Sequence, residues 1–200
     1  MRRLLLFVVA LASFGDVALA QTLEGRLKQI SETKVVKLAH RSDAKPFSFV
    51  DAQGQPDGYT VDLCKFVVHS LEQQLGAKLT IEWVPVDTQS RFDAVASGSA
   101  DMECGSSTVS FERMTKVDFS SFIFMENTGV LVRTNSGIFD AEMGGKRIAV
   151  IAGTTNEFAL KKELQRRQLQ IALALVKDRQ EAWRSWKAER SMVLPATSCC

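Results

Sequence analysis

Three features of this sequence predict an α/β fold in two lobes with mostly parallel sheets. Short aliphatic or β-branched runs alternate with segments of helical periodicity. The alternation occurs twice, on either side of Leu131 to Asn135. Loops rich in hydroxyl, Gly and Arg residues follow the strand-like runs, and strand-end loops are where α/β folds bind ligands.

Residues Gln21 to Thr33 predict a short polar helix leading in. Val35 to Ala39 is half-alternating and β-branched, hence a strand. His40 to Gly58 is polar and broken by Pro46, Gly54 and Pro56, which predicts loop with room for a small hairpin. From Val61 to Leu75, Leu63, Phe66, Val67 and Leu71 fall on one helix face, and Gly76 is a fitting stop. Leu79 to Val86 predicts a second strand, and Arg91 to Ala96 a short helix capped by Ser90. Asp101 to Cys104 is a third strand, and Phe111 to Lys116 one more helical turn. The rhythm then repeats: strands at Thr128 to Val132 and Arg147 to Ile151, a helix at Asn156 to Arg167, and a strand at Gln170 to Val176.

The first 20 residues have the three parts of a secretory signal. Arg2 and Arg3 precede an apolar run from Leu4 to Phe14, and Ala18-Leu19-Ala20 offers a cleavage site. The expectation is export to the periplasm and a mature chain of about 180 residues starting at Gln21. The apolar run is far shorter than the roughly 20 residues that span a bilayer. With 25 Lys and Arg against 23 Asp and Glu, there is no bulk attraction to nucleic acid. His40 and His69 lie far apart, so no metal site is expected, nor any cofactor. Four cysteines are present, Cys64, Cys104, Cys199 and Cys200. An oxidising compartment allows a Cys64–Cys104 disulfide; two buried thiols, or a pairing partner lost from the chain, are the alternatives.

Four loops carry the chemistry: His40 to Asp43, Asp87 to Arg91, Glu103 to Thr108, and Ala152 to Asn156. A helix N-terminus presents unpaired N–H groups and the positive end of its dipole, so it favours an anion. Thr154 and Thr155 add hydroxyls there. Arg91 can grip a carboxylate through two parallel hydrogen bonds, and Ser106 and Thr108 can donate or accept. Seen alone, such a loop is usually a plain helix cap. Gly153-Thr154-Thr155 is not a phosphate-binding loop, since no Gly-Lys-Ser/Thr follows at that spacing, and no Gly-x-Ser-x-Gly elbow marks a nucleophile. Together the loops suit a small zwitterion or anion, with no catalytic group expected.

The order of motifs resembles the periplasmic solute-binding proteins of polar amino-acid ABC transporters, solute-binding protein family 3, and in particular their glutamate/aspartate-binding branch. The motifs are H-R-S-D-A-K-P-F-S-F from His40, G-Y-T-V-D-L-C from Gly58, T-Q-S-R from Thr88, S-G-S-A-D-M-E-C-G-S-S-T from Ser97, E-R-M-T-K-V-D-F-S from Glu112 and G-T-T-N-E from Gly153. The likeness runs from about Leu27 to Ser185. It implies the two-lobe type II periplasmic-binding fold: lobe 1 over 21–130, a hinge crossover at 131–135 and a partial lobe 2 over 136–185. It also implies a monomer that hands glutamate or aspartate to a membrane permease. By position, Arg91 resembles the arginine holding the ligand α-carboxylate, with Thr154 and Thr155 on the opposing jaw. Ser106 and Thr108 resemble ligand contacts, with the Ser106 carbonyl near the ammonium, Thr88 a hydroxyl contact, and Arg41 the arginine facing the side-chain carboxylate. Two cationic anchors suit a dicarboxylate, because a buried unpaired charge is costly. A sensor lobe or a dehydratase-like enzyme on the same fold is the alternative.

Two departures stand out. Arg179 follows Lys177 and Asp178 where that branch often has His, which keeps the charge but changes its reach. Residues 186–200 do not continue the family pattern, and the genetic code allows a coding sequence for this stretch whose shifted frame would. The expectation is a frameshifted or truncated product, with an incomplete second lobe and impaired binding.

Overall fold

The computed structural model describes residues 23–132 and 147–188, with the backbone of 192–197. The export signal read at 1–20 and crossover residues 133–135 lie outside the described residues. The first lobe is built on β1 (Val35–His40), flanked by β5 (Thr80–Pro85) and β6 (Met102–Cys104), both parallel to it. Leu38 sits opposite Trp83 on one side and Met102 on the other. Val36 and Leu38 on this strand are fully buried. They pack with Ile30 of α1 (Gly25–Thr33), with Val61, Cys64 and Val68 of α2 (Tyr59–Leu75), and with Cys104. The central strand is thus covered because its aliphatic residues alternate, while the helix presents the residues its periodicity sets on one face.

Asp101 ties this lobe at its base. Its carboxylate accepts from Arg26 Nε on α1 at 2.8 Å and from the Lys37 backbone N–H on β1 at 2.7 Å. The stretch expected as loop and hairpin forms a small antiparallel sheet in the order β2 (Asp43–Ala44), β3 (Ser48–Val50), β4 (Pro56–Asp57). The short helix α3 (Arg91–Ala96) departs from expectation at its start. Ser90 is already helical in conformation, and its hydroxyl caps nothing. Asp87 does the work instead: its Oδ1 accepts from the backbone N–H groups of Gln89 and Ser90 and from the Ser90 hydroxyl, at 2.8–2.9 Å. These donors, the Ser90 N–H first, hold the Asp87 carboxyl below its ordinary range. The turn at α4 (Phe111–Met114) is capped by Ser110, which accepts from the Arg113 N–H.

The second lobe has the strand order β7 (Thr128–Leu131), β10 (Met192–Thr197), β8 (Arg147–Ile151), β9 (Ala172–Val176). Parallel pairs join β10 to β8 and β8 to β9, while β7 runs antiparallel to β10. Alternation along β8 sends Ile148 and Val150 to one face, against Leu160 of α5 (Thr155–Arg166). Ala149 faces the other side, against Val176 and against Ala182 of α6 (Arg179–Ala188). Both α6 and β10 are additions to the elements read from the sequence. The last turn of α6 and the strand β10 come from the stretch expected to leave the family pattern.

Cys64 and Cys104 are disulfide-bonded, with their Cα atoms 6.1 Å apart, which settles the two alternatives left open by the sequence. The bond links α2 to the end of β6. It closes a span of 40 residues, for which loop entropy gives a stabilisation of roughly 4 kcal/mol at most. Replacing both cysteines by Ala should therefore lower the unfolding free energy by about 2–4 kcal/mol, read by urea denaturation of the oxidised protein against the double variant. Equal midpoints would mean that the bond carries no stabilisation.

Candidate functional site

One cavity of about 400 Å³ lies where the two lobes face each other. The strand ends deliver its walls. The turn after β1 brings Arg41, the turn after β5 brings Thr88 and Arg91, and the loop after β6 brings Ser106 and Thr108. The turn after β8 brings Thr154 and Thr155, and α6 begins with Arg179. All eight residues singled out from the sequence therefore line a single space.

On the first lobe, Arg91 and Thr88 are buried, at 4% and 5% exposure. Arg91 Nε and Thr88 Oγ1 nonetheless have no hydrogen-bond partner within the structure. Buried polar atoms are normally paired, so these two are atoms for which an acceptor or donor remains to be supplied from the cavity. Burial lowers the Arg91 pKa to about 10, with Glu103 opposing the shift, so its guanidinium stays charged at neutral pH. Arg91 and Arg113 both lie over the Phe92 ring, at 4.7 and 4.8 Å, which fixes the guanidinium planes without using their hydrogen-bond donors. Arg41 is also buried and donates through Nε to Asp43 Oδ1 at 2.9 Å and through Nη2 to the same oxygen at 2.5 Å. Its charge thus has a partner two residues along the chain.

Glu103 sits behind this wall. Burial pushes its carboxyl up, while the Arg91 guanidinium first, and Arg41 and Arg113 after it, act in the opposite direction. A Cβ added at Gly105 would meet Glu103 Oε1 at 1.8 Å, so the glycine of this loop is what leaves room for the carboxylate. Glu103 does not line this cavity and acts on Arg91 electrostatically from behind it.

On the second lobe, Thr154 is the N-cap of α5: its hydroxyl accepts from the Glu157 N–H and donates to the Ile151 carbonyl at 2.7 Å. The Thr154 hydroxyl is thereby committed to the fold, a correction to its reading as a free donor. The first-turn backbone N–H groups of Thr155 and Asn156 have no intrahelical acceptor, and the helix dipole adds to their positive potential. Gly153 has φ +72°, and a Cβ there would come within 2.9 Å of the Gln89 side chain from the other lobe. The positive φ is what favours a glycine here, since the Gln89 amide is the movable end of its side chain.

Direct contacts cross between the lobes. Gln89 Nε2 donates to the Ala152 carbonyl at 3.0 Å, and the Thr155 hydroxyl donates to Thr108 Oγ1 at 3.3 Å. Arg113, held within its own lobe by the Thr108 carbonyl at 2.7 Å, reaches across to the Gly153 carbonyl at 3.3 Å. Arg179 Nη1 donates to the Lys45 carbonyl at 2.8 Å. The cavity wall also contains Arg113, Glu126, Asn156 and Trp183, which were missed from the sequence. Arg113 lay inside a quoted motif, but nothing in the spacing pointed its side chain inward. Asn156 was within the loop of interest. Glu126 and Trp183 carried no local signal, because the tertiary fold alone brings them there. Among the described residues, no group of three or more His, Cys, Asp or Glu could hold a metal ion, and no helix is long and apolar enough to cross a membrane.

A family model described as bacterial extracellular solute-binding proteins, family 3, matches residues 36–189. The chain is 33% identical over 192 residues to an L-glutamate/L-aspartate-binding protein of Pseudomonas aeruginosa, covering 94% of this chain and 64% of that protein. It is 29% identical to a glutamate/aspartate import solute-binding protein of Salmonella typhimurium, covering 92% of this chain and 60% of that one. The chain thus spans less than two thirds of the length of these relatives. Among solved structures, an ancestral amino acid-binding protein described as a precursor of cyclohexadienyl dehydratase superposes with a TM-score of 0.74. It is 26% identical, over 86% of this chain and 74% of that one. These superpositions give the type II periplasmic-binding fold, in line with the expectation from sequence.

Glu103 generates a prediction with a definite sign. Its folded-state pKa is raised, so the native state holds this proton to higher pH than the unfolded chain does. Stability from this group is therefore greatest below its ordinary carboxyl range and falls as pH rises through the shifted value. In Glu103→Gln that slope should vanish, seen as a flatter melting temperature as pH rises above the ordinary carboxyl range than in the unsubstituted protein. Parallel profiles for the two proteins would rule this assignment out.

Proposed function

The chain belongs to the bacterial extracellular solute-binding proteins, family 3, and from that premise we propose that it captures an acidic amino acid, glutamate or aspartate, between its lobes. One observation carries the reading: Arg41, Arg91 and Arg113 of the first lobe line one small cavity with Arg179 and a helix N-terminus of the second. In this reading the ligand α-carboxylate docks on Arg91, meeting the guanidinium from the first lobe and the Thr155 and Asn156 N–H groups from the second. Ser106 and Thr108 receive the ammonium. Thr88, Arg41 and Arg179 meet the second carboxylate. The two glutamate/aspartate-binding relatives support the ligand class.

Binding and closure are then one event. A carboxylate shared between Arg91 and the start of α5 interacts with both lobes at once, so it stabilises the arrangement in which they touch. The interlobe bonds of Gln89, Arg113, Thr155 and Arg179 form part of the same state. The reading is of a carrier rather than a catalyst. It delivers the solute to the membrane permease of an ABC importer after export to the periplasm, as a monomer and without a cofactor or nucleic acid.

Titration calorimetry with glutamate and aspartate tests this directly. Saturable binding of either, with no binding of lysine, is the expected result; no heat from either ligand up to millimolar concentration would overturn the proposal. Arg91→Ala should weaken glutamate by about 30-fold or more, because losing one partner of a buried charge pair costs about 2–5 kcal/mol. Arg91→Lys should recover only part of this, since an ammonium cannot form the bidentate fork. Trp183 lines the cavity, so its fluorescence offers a second readout.

A further inference from the structure

Arg41 reaches the cavity restrained at both ends. Its backbone N–H donates to Ser48 Oγ at 3.0 Å, across the turn that joins β1 to the small sheet. Its guanidinium donates through Nε at 2.9 Å and through Nη2 at 2.5 Å, both to Asp43 Oδ1. Ser48 is fully buried, and the Arg41 and Asp43 side chains are nearly so. Arg41 lines the cavity and Asp43 does not. Among the described residues, Asp43 Oδ2 has no hydrogen-bond partner although it is buried, so the hydrogen bonds of this side chain go to Arg41 alone.

From this contact we infer that Asp43 is a positioning residue: it holds the Arg41 guanidinium by one edge, so that the Nη1–Nη2 edge is the one left for the second carboxylate of the ligand. The inference rests on the proposed capture of an acidic amino acid and adds how its second anchor is held. A guanidinium carries five N–H donors in one plane, and two of its edges can each grip an acid. Here the Nε–Nη2 edge is taken by Asp43. Both Nη1 donors and the second Nη2 donor remain. A loose arginine would lose its rotamer freedom at the moment of binding, and the complex would be weaker by that loss. With Ser48 on the main chain and Asp43 on the guanidinium, the ordering is done when the lobe folds. The same hairpin also meets the other far-end cation, because the Lys45 carbonyl, next after β2, accepts from Arg179 Nη1 at 2.8 Å. Asp43 opposes the Arg41 charge as well as orienting it, and the two effects can be separated. Asn at this position keeps the acceptor oxygen without the charge, and Ala keeps neither, so these two variants differ in positioning and not in charge.

The test is titration calorimetry with glutamate and with aspartate on the unsubstituted chain, on Asp43→Asn and Asp43→Ala, and on both of these in an Arg41→Ala background. Circular dichroism on each variant verifies folding. Asp43→Ala should bind about threefold to tenfold more weakly than Asp43→Asn, the range for one long side chain left to be ordered on binding. In the Arg41→Ala background the two variants should agree within about twofold. Asp43→Leu, close to Asn in outline and without an acceptor, takes the place of Asp43→Ala if that variant does not fold. Equal affinities of the Asn and Ala variants would overturn the inference. A difference that persists without Arg41 would overturn it too, since Asp43 would then serve the fold alone. So would an Arg41→Ala chain that binds as tightly as the unsubstituted one. If the unsubstituted chain binds neither glutamate nor aspartate, the parent proposal fails and this one with it. If it binds and the two Asp43 variants match, this one fails alone.

Discussion

The burial of the Arg91 guanidinium is the constraint around which the rest of this structure is arranged. A charged group at 4% exposure must find compensation nearby, or its desolvation would weigh against folding. Here the compensation is split. Glu103 supplies charge from behind, the Phe92 ring supplies a polarisable face, and Nε is left without an acceptor. An incompletely satisfied cation in a cavity is a standing attraction for an anion. The features around it follow from keeping it so: Gly105 makes room for Glu103, Asp87 shapes the turn that leads into Arg91, and Arg113 stacks on the same ring.

The second lobe answers this constraint with backbone rather than side chains. Alternation along β8 buries Ile148 and Val150 on one face and Ala149 on the other, and the strand ends in a turn that starts α5. Thr154 and Glu157 secure that start, the latter accepting from the Gly153 N–H at 2.8 Å. Glu157 is held below its ordinary range chiefly by Lys161, so it serves as an acceptor in its charged form. The N–H groups of the first turn then face the cavity opposite Arg91. The positive potential of the cavity thus has two sources, the guanidiniums of Arg41, Arg91 and Arg113 on the first lobe and, on the second, a helix N-terminus together with Arg179.

Much of this was legible in the sequence, for a definite reason. Strand alternation and helical spacing depend on neighbours within a few residues, so β1, α2, β8 and α5 appear nearly where expected. Strand-end loops follow from the same local order, and all eight residues named from them reach the cavity. Where the reading slipped, the cause was geometric. Ser90 has a capping side chain, but the chain is already helical there, and Asp87 takes the donors instead. Thr154 offers a hydroxyl, but the Ile151 carbonyl claims it. The strand β10 escaped notice because its place between β7 and β8 depends on pairing partners some 45 to 70 positions away.

What the sequence by itself determined is most of the elements (α6 and β10 excepted), the α/β class, and the types of residue brought to the strand ends. It also determined that Arg41, Thr88, Arg91, Ser106, Thr108, Thr154, Thr155 and Arg179 sit at places where such folds meet ligands. Only the tertiary structure decided how their charges are partnered. Asp43 on Arg41 and Glu103 acting on Arg91 are matters of side-chain direction, the second of them between different elements. Electrostatic pairing falls off with distance in space and is blind to distance along the chain. A list of cations can therefore be read from a sequence, whereas the charge balance of a cavity exists only once the chain has folded around it.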